Sequence, residues 1–241
     1  MTHRRMRCLF FSIALLLPGC ITSPGAAGPG TIVSRQMTYD GRSYPFVVYV
    51  PTTYHSHVSA PAVLLVHGGG GDGPGFIGTW INIAESKGII LVAPTLDLSA
   101  AAETMVPIVF PRLMDAAASE WNIDAARRYL FGYSAGGYFV YDAALLNANY
   151  FAGAGVFAAV IQPEYDSIAR NAQRSTSIAI YLGDHDSFFS LQDGRRTRDL
   201  LLMNGMDVHY VELANQGHDY GAVSNEVNDD FWRYITSRPG R

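Results

Sequence analysis

The stretch Leu130-Phe131-Gly132-Tyr133-Ser134-Ala135-Gly136-Gly137 constrains the fold of this chain more than any other. The apolar run Tyr129 to Phe131 reads as a short buried strand, and Tyr138 to Leu146 as a helix that follows at once. Between them, Gly132 and Gly136 bracket Ser134 on a sharp strand-to-helix turn, the layout of a nucleophile elbow. Such a turn strains the backbone at the serine and leaves no room for side chains at the two flanking positions. Its hydroxyl projects above the sheet with a helix N-terminus behind it, where developing negative charge is favoured. The bare pattern is weak in a chain with 24 glycines. The strand–turn–helix context makes it specific.

With 241 residues, the chain is long enough for one domain with a sizeable core. Its residues are 49% apolar and 16% charged, which excludes a disordered polymer. A net charge of −4 offers no basic footprint, so nucleic acid is not an expected partner.

The first residues read as a targeting segment. Arg4, Arg5 and Arg7 form a positive start, and Leu9 to Leu17 an apolar run too short to span a bilayer as a mature helix. Leu17-Pro18-Gly19-Cys20 resembles a bacterial lipobox, in which Cys20 carries the lipid and becomes the first residue. The alternative is an ordinary signal peptide cut near Gly25-Ala26-Ala27. Ile21 after the cysteine, by resemblance to bacterial sorting rules, directs the protein to an outer membrane where the host has one. The expected organisation is residues 1–19 as signal, 20–30 as a Gly/Pro/Ala-rich tether, and 31–241 as the domain. Cys8 and Cys20 are the only cysteines, so this domain is expected to have neither a disulfide nor a cysteine nucleophile.

Along that domain, Thr31–Tyr39 and Ser43–Val50 are β-rich runs joined by Asp40-Gly41, a dipeptide suited to a type I′ hairpin turn. Pro45 and Pro51 suit a sheet edge. Fully apolar strands are expected at Ala62–Val66, Ile89–Ala93 and Ile178–Leu182, and a further strand at Val208–Leu213. The spacing predicts helices over Phe76–Lys87, Leu113–Trp121, Leu191–Asn204 and Val223–Ile235. A hairpin followed by alternating strands and helices means an α/β fold. Its sheet is mixed but mostly parallel, with helices on both faces and ligands at the carboxyl ends of the strands.

A serine hydroxyl needs a base to take its proton, and the base needs a third group to fix its tautomer. His218 lies just past the strand Val208–Leu213 and is the favoured base. His55 and His57 lie in an early polar loop, His209 lies within a strand, and His185 is the one rival. Asp186, after Ile178–Leu182, is the favoured acid; Asp184, closer to the strand end, is the runner-up. The chain order Ser134, Asp186, His218 is that of α/β-hydrolases. His67-Gly68-Gly69-Gly70-Gly71 follows a central strand, where glycines let backbone amides approach a ligand. Gly69 and Gly70, with Ala135, are the candidate oxyanion donors, and His67 is read as orienting the loop. A P-loop is disfavoured because no Lys-Ser/Thr pair follows the glycines.

The segment Trp121-Asn122-Ile123-Asp124-Ala125-Ala126-Arg127-Arg128 running into the elbow resembles the esterase family of polyhydroxybutyrate depolymerases, feruloyl esterases and acetyl xylan esterases. So do Arg42-Ser43-Tyr44, Val50-Pro51 and the glycine loop. The likeness runs from about Gln36 onward and is loose after Gly137. It departs at Ala125-Ala126, where a proline is common, and in lacking the cysteines that staple many secreted members.

The resemblance implies a serine carboxylic-ester hydrolase of the α/β-hydrolase fold, needing no metal or organic cofactor. Its substrate would be an ester, bulky or polymer-linked. A monomer is expected, in contact with a membrane only through the lipid on Cys20. Too few residues separate Ile161 from Ile178 for a cap domain, so an open cleft is expected. Trp80, Tyr133, Phe188 and Phe189 are candidates to line it, although core packing suits each at least as well and Trp80 on a helix face suits the core better. Two alternatives are a serine peptidase of the prolyl-oligopeptidase type, for whose propeller the chain has no room, and a non-catalytic surface lipoprotein.

Overall fold

The computed structural model describes residues 28–97, 106–172 and 174–238. Cys20, the segment read as a signal sequence and most of the tether lie outside the described residues. Eight strands form one sheet in the order β1-β2-β4-β3-β5-β6-β7-β8. They are β1 (Thr31–Tyr39), β2 (Arg42–Val50), β3 (Ala60–Val66), β4 (Ile90–Pro94), β5 (Ile123–Tyr133), β6 (Gly153–Phe157), β7 (Ser177–Gly183) and β8 (Asp207–Leu213). β3 to β8 run parallel, and β2 runs antiparallel to both β1 and β4. This is the α/β-hydrolase fold.

The hairpin turns as its dipeptide predicts: φ is 49° at Asp40 and 70° at Gly41, the double positive value of a type I′ turn. The edge strand is β1, whereas β2, with Pro45, is an inner strand. Pro45 is tolerated there because pairing with β4 begins only at Phe46.

Alternation along the strands feeds two cores. On one face, Leu64, Val66, Val92, Leu130, Val156 and Ile180 pack under α3 (Val106–Ala118), α4 (Ala135–Leu146) and α6 (Leu191–Met203). On the other, Val63, Leu65, Leu91, Phe131 and Tyr181 meet α1 (Gly73–Gly78), α2 (Ile81–Lys87) and α7 (Ser224–Thr236). Among the described residues, the link from β6 to β7 holds a 3₁₀ turn at Pro163–Tyr165 and the four-residue α5 (Ser167–Arg170), and a link this short leaves no room for a large cap.

Two predicted helices differ. Phe76–Lys87 is two helices, because Thr79 closes α1 with its amide on Phe76 and Ile77 carbonyls before Trp80 starts α2; Gly88, at φ 70°, ends the second. The helix predicted over Leu113–Trp121 runs Val106–Ala118 instead and carries Pro111 in its interior.

The chain leaves β3 towards β4 on one side, and β5 lies on the other, so the strand order reverses between β3 and β5. A crevice at the carboxyl ends of strands belongs at such a reversal. The glycine loop and Ser134 both emerge there.

Candidate active site

Ser134 sits between β5 and α4 at φ 51°, ψ −121°, a backbone conformation rare for a residue with a side chain. Its amide donates to the Phe157 carbonyl at 2.9 Å, and its carbonyl accepts from Gly137 at 2.8 Å. The flanking glycines are obligatory. A Cβ on Gly136 would stand 2.3 Å from the Val66 carbonyl oxygen and 2.4 Å from that of His67. One on Gly132 would stand 2.6 Å from the Gly136 oxygen. The elbow is therefore wedged against the end of β3, with the Ala135 amide at the first turn of α4, where no intrahelical acceptor awaits it.

β7 and β8 bring the other two groups. Ser134 Oγ lies 2.8 Å from His218 Nε2, and His218 Nδ1 lies 2.7 Å from Asp186 Oδ2. With the carboxylate accepting from Nδ1–H, Nε2 is left to accept from the serine hydroxyl. The Asp186 side chain has no exposed surface, and that of His218 is 17% exposed. Asp186 Oδ1 accepts from the amides of Phe188, at 2.8 Å, and Phe189, at 3.1 Å. All the oxygens of the buried carboxylate thus have partners, as a buried charge requires.

The runner-up acid, Asp184, faces elsewhere. Its Oδ1 accepts from the Gln216 amide at 3.3 Å and its own amide donates to Leu213, which fastens the loop after β8. His185 is exposed and donates its amide to Gln216 at 2.9 Å. A Cβ on Gly183 would stand 2.0 Å from the Gln216 carbonyl oxygen, so the loops after β7 and β8 press together directly. Tyr133 completes the fastening: its hydroxyl donates to the His218 carbonyl at 2.7 Å. Burial, then the carboxylates of Asp219 and Asp186, push its phenol pKa up and keep that donor protonated.

His67 is buried and spans the glycine loop. Its Nε2 accepts from the Leu96 amide at 3.0 Å, so Nδ1 carries the proton and donates to the Gly68 carbonyl at 2.7 Å. The Gly71 amide closes a turn onto that same carbonyl at 3.1 Å, with Gly70 at φ 73° in the position that requires a left-handed residue. Of the two glycines named from sequence, Gly69 faces Ala135, with an ideal Cβ 4.0 Å from that of Ala135. Gly70 is the turn glycine, with nothing within 4 Å of its ideal Cβ. Gly68 went unnamed. A Cβ on it would stand 2.9 Å from the Tyr133 ring, so it lets the loop close over the elbow.

A cleft of about 290 Å³ runs beside this loop, between Gly68, Gly69, Phe76 and Thr79 on one side and Tyr133, Asp219 and Tyr220 on the other. Ser134 and His218 stand next to it and are not among its lining residues. Larger hollows of about 480 and 620 Å³ lie away from the trio, around Asp124 and Trp232 and around Arg196 and Leu200. Tyr133 lines the near cleft, and Phe188, 72% exposed, puts its ring centroid 4.6 Å from that of His218. Trp80 does neither. It is fully buried, edge-on to Phe131 at 4.9 Å and to Phe231 at 5.9 Å, because the start of α2 turns it into the core between sheet and α7.

No known family profile matches the chain, and no curated protein matches it in sequence. Solved structures match in fold. A thermostable esterase aligns over 86% of this chain at TM-score 0.69 and 16% identity, and the chain spans 62% of its length. An S-formylglutathione hydrolase from Agrobacterium tumefaciens aligns over 85% of this chain and 94% of its own, at TM-score 0.68 and 19% identity. A ferulic acid esterase aligns over 88% and 99%, at TM-score 0.70 and 14% identity. These likenesses are to the α/β-hydrolase fold. What this chain does with that fold rests on the geometry of its own residues.

Proposed function

We propose that the chain is a serine carboxylic-ester hydrolase working through an acyl-enzyme on Ser134. The observation that carries this reading is the unbroken hydrogen-bonded line from Ser134 Oγ through His218 to the buried Asp186. The esterases and the thioester hydrolase among its fold relatives support the same class.

In the proposed cycle, His218 Nε2 takes the hydroxyl proton as Oγ bonds to the ester carbonyl carbon. Asp186 stabilises the imidazolium and holds the ring in place. The carbonyl oxygen becomes an oxyanion, held by the amides of Ala135 and Gly69; one such donor is typically worth about 10² to 10³ in kcat. The C–O bond to the alcohol then breaks, and the alkoxide leaves with the proton from Nε2. Water repeats the sequence on the acyl-enzyme, yielding the acid and free serine. The short link between β6 and β7 supports action on bulky or polymer-linked esters, including feruloyl, acetyl or polyhydroxyalkanoate ones.

We propose further that the chain is exported as a monomer and tethered by a lipid on Cys20. Exchange of Cys20 for alanine would then abolish palmitate labelling and release the protein from membranes.

A paired assay with p-nitrophenyl acetate, methyl ferulate and a peptide amide tests the central reading. Turnover of the esters with no cleavage of the amide supports an esterase. Cleavage of the amide at a comparable rate would make it a peptidase.

A further inference from the structure

The imidazole of His218 has two neighbours among the aromatic side chains of the loop after β7. Phe188 places its ring centroid 4.6 Å from that of His218, and Phe189 places its own at 5.9 Å. Phe188 is 72% exposed, the most exposed aromatic ring among the described large hydrophobic residues. An exposed phenylalanine forgoes the stabilisation that burial would give it. Its backbone is nonetheless held beside the base, because its amide donates at 2.8 Å to the carboxylate that holds His218. The apolar surface continues away from the trio. Phe189 meets Tyr138 of α4 edge-on at 6.1 Å. Tyr138 borders a small hollow of about 50 Å³ with Gln162, Tyr165 and Ile168, and Tyr165 is itself half exposed.

Resting on the esterase reading, the direction of proton transfer says which part of a substrate meets this surface. The proton taken from Ser134 sits on His218 Nε2 and must pass to the departing oxygen, so the alcohol half of the ester lies against His218 while the oxyanion faces Gly69 and Ala135. The exposed ring packed on His218 is that of Phe188. We propose that Phe188 is the specificity-determining contact for the alcohol half. It presents an apolar platform, continued by Phe189 and Tyr138, that selects esters of alcohols with a large flat apolar group over esters of small alcohols.

The test holds the acyl group constant and varies the alcohol: ethyl acetate against benzyl acetate, with wild type, F188A and F188W. Wild type should prefer benzyl acetate by about tenfold in kcat/KM, the scale of one ring partly removed from water. In F188A that ratio should collapse towards unity, mostly through KM, and F188W should restore it. An equal loss on both esters in F188A would show that Phe188 only steadies His218, and would overturn the proposal. So would an unchanged ratio. Varying the acid at constant alcohol, benzyl acetate against benzyl butyrate, should give a ratio that F188A leaves in place; a collapse there too would place Phe188 on the acyl side and defeat the assignment. Reaction of the wild-type serine with a fluorophosphonate reports separately on the esterase reading. Labelling together with an unchanged alcohol ratio sinks only the present inference.

Discussion

Asp186 serves Phe188 and His218 with different oxygens: Oδ1 accepts the Phe188 amide at 2.8 Å and Oδ2 accepts His218 Nδ1 at 2.7 Å. The carboxylate therefore sets both the base and the loop beside it. D186N keeps an acceptor for the loop amides but loses the charge that stabilises an imidazolium. It should lower kcat by about 10³ to 10⁴ with little change in KM. D186A should lose the loop anchor as well, seen as faster amide hydrogen exchange at Phe188 and Phe189. Equal exchange in the two variants would contradict the double role.

Gly136 has no room to become alanine. The added Cβ would fall 2.3 Å from one backbone oxygen and 2.4 Å from another, and backbone cannot step aside as a flexible side chain can. G136A should destabilise the protein by about 3 kcal/mol or more, measured by urea unfolding, or fail to accumulate in folded form. G70A sits at the turn tip with open space, so its cost is only that of a left-handed alanine, about 1 to 2 kcal/mol. Similar midpoints for the two variants would contradict the wedge between elbow and β3.

Trp80 belongs to the core, so its removal should be felt as stability. W80A should cost about 3 to 5 kcal/mol in urea unfolding, and the more conservative W80F less. In W80F the KM for p-nitrophenyl acetate should stay at the wild-type value. A selective rise in KM with unchanged stability would return Trp80 to the substrate.

Glu85 links α2 to β2. The Thr52 hydroxyl and then the Tyr49 hydroxyl, with the Thr52 amide, donate to its carboxylate and hold its pKa below the ordinary 4.5. A depressed carboxylate pKa stabilises the folded state above the unfolded value, and that contribution disappears as pH falls through the folded value. E85Q should therefore be less stable than wild type at about pH 7. Solvent screening keeps the difference below about 1 kcal/mol. The two unfolding curves should draw together as pH falls below the ordinary 4.5 and through the lower folded value. A difference that persists there would show that the ionised carboxylate is not its source.

What could be read before the structure was whatever local chemistry enforces. Asp40-Gly41 specifies its turn by backbone preference alone. Gly132 and Gly136 announce the elbow, because a tight turn between strand and helix excludes Cβ atoms wherever it occurs. Ser134, Asp186 and His218 could be named because each lies just past a predicted strand, in the chain order of such hydrolases, and the structure brings them within hydrogen-bond distance. Facts that depend on packing were not legible. The apolar spacing from Phe76 to Lys87 suits one helix, and nothing in it reveals that Thr79 closes a turn and sends Trp80 inward against Phe131 and Phe231. Pro111 argues locally against a helix interior, yet α3 runs through it. Among four consecutive glycines, composition cannot say which one turns the chain; the bond from Gly71 to Gly68 decides it for Gly70.

The most direct test of the proposed nucleophile is intact and peptide mass spectrometry after treatment with a fluorophosphonate. One adduct should form per chain, on the peptide containing Ser134, with loss of activity in step. S134A should take up none and retain at most about 10⁻⁴ of the wild-type kcat. An adduct that persists in S134A, or an active enzyme in which Ser134 stays unlabelled, would contradict the account.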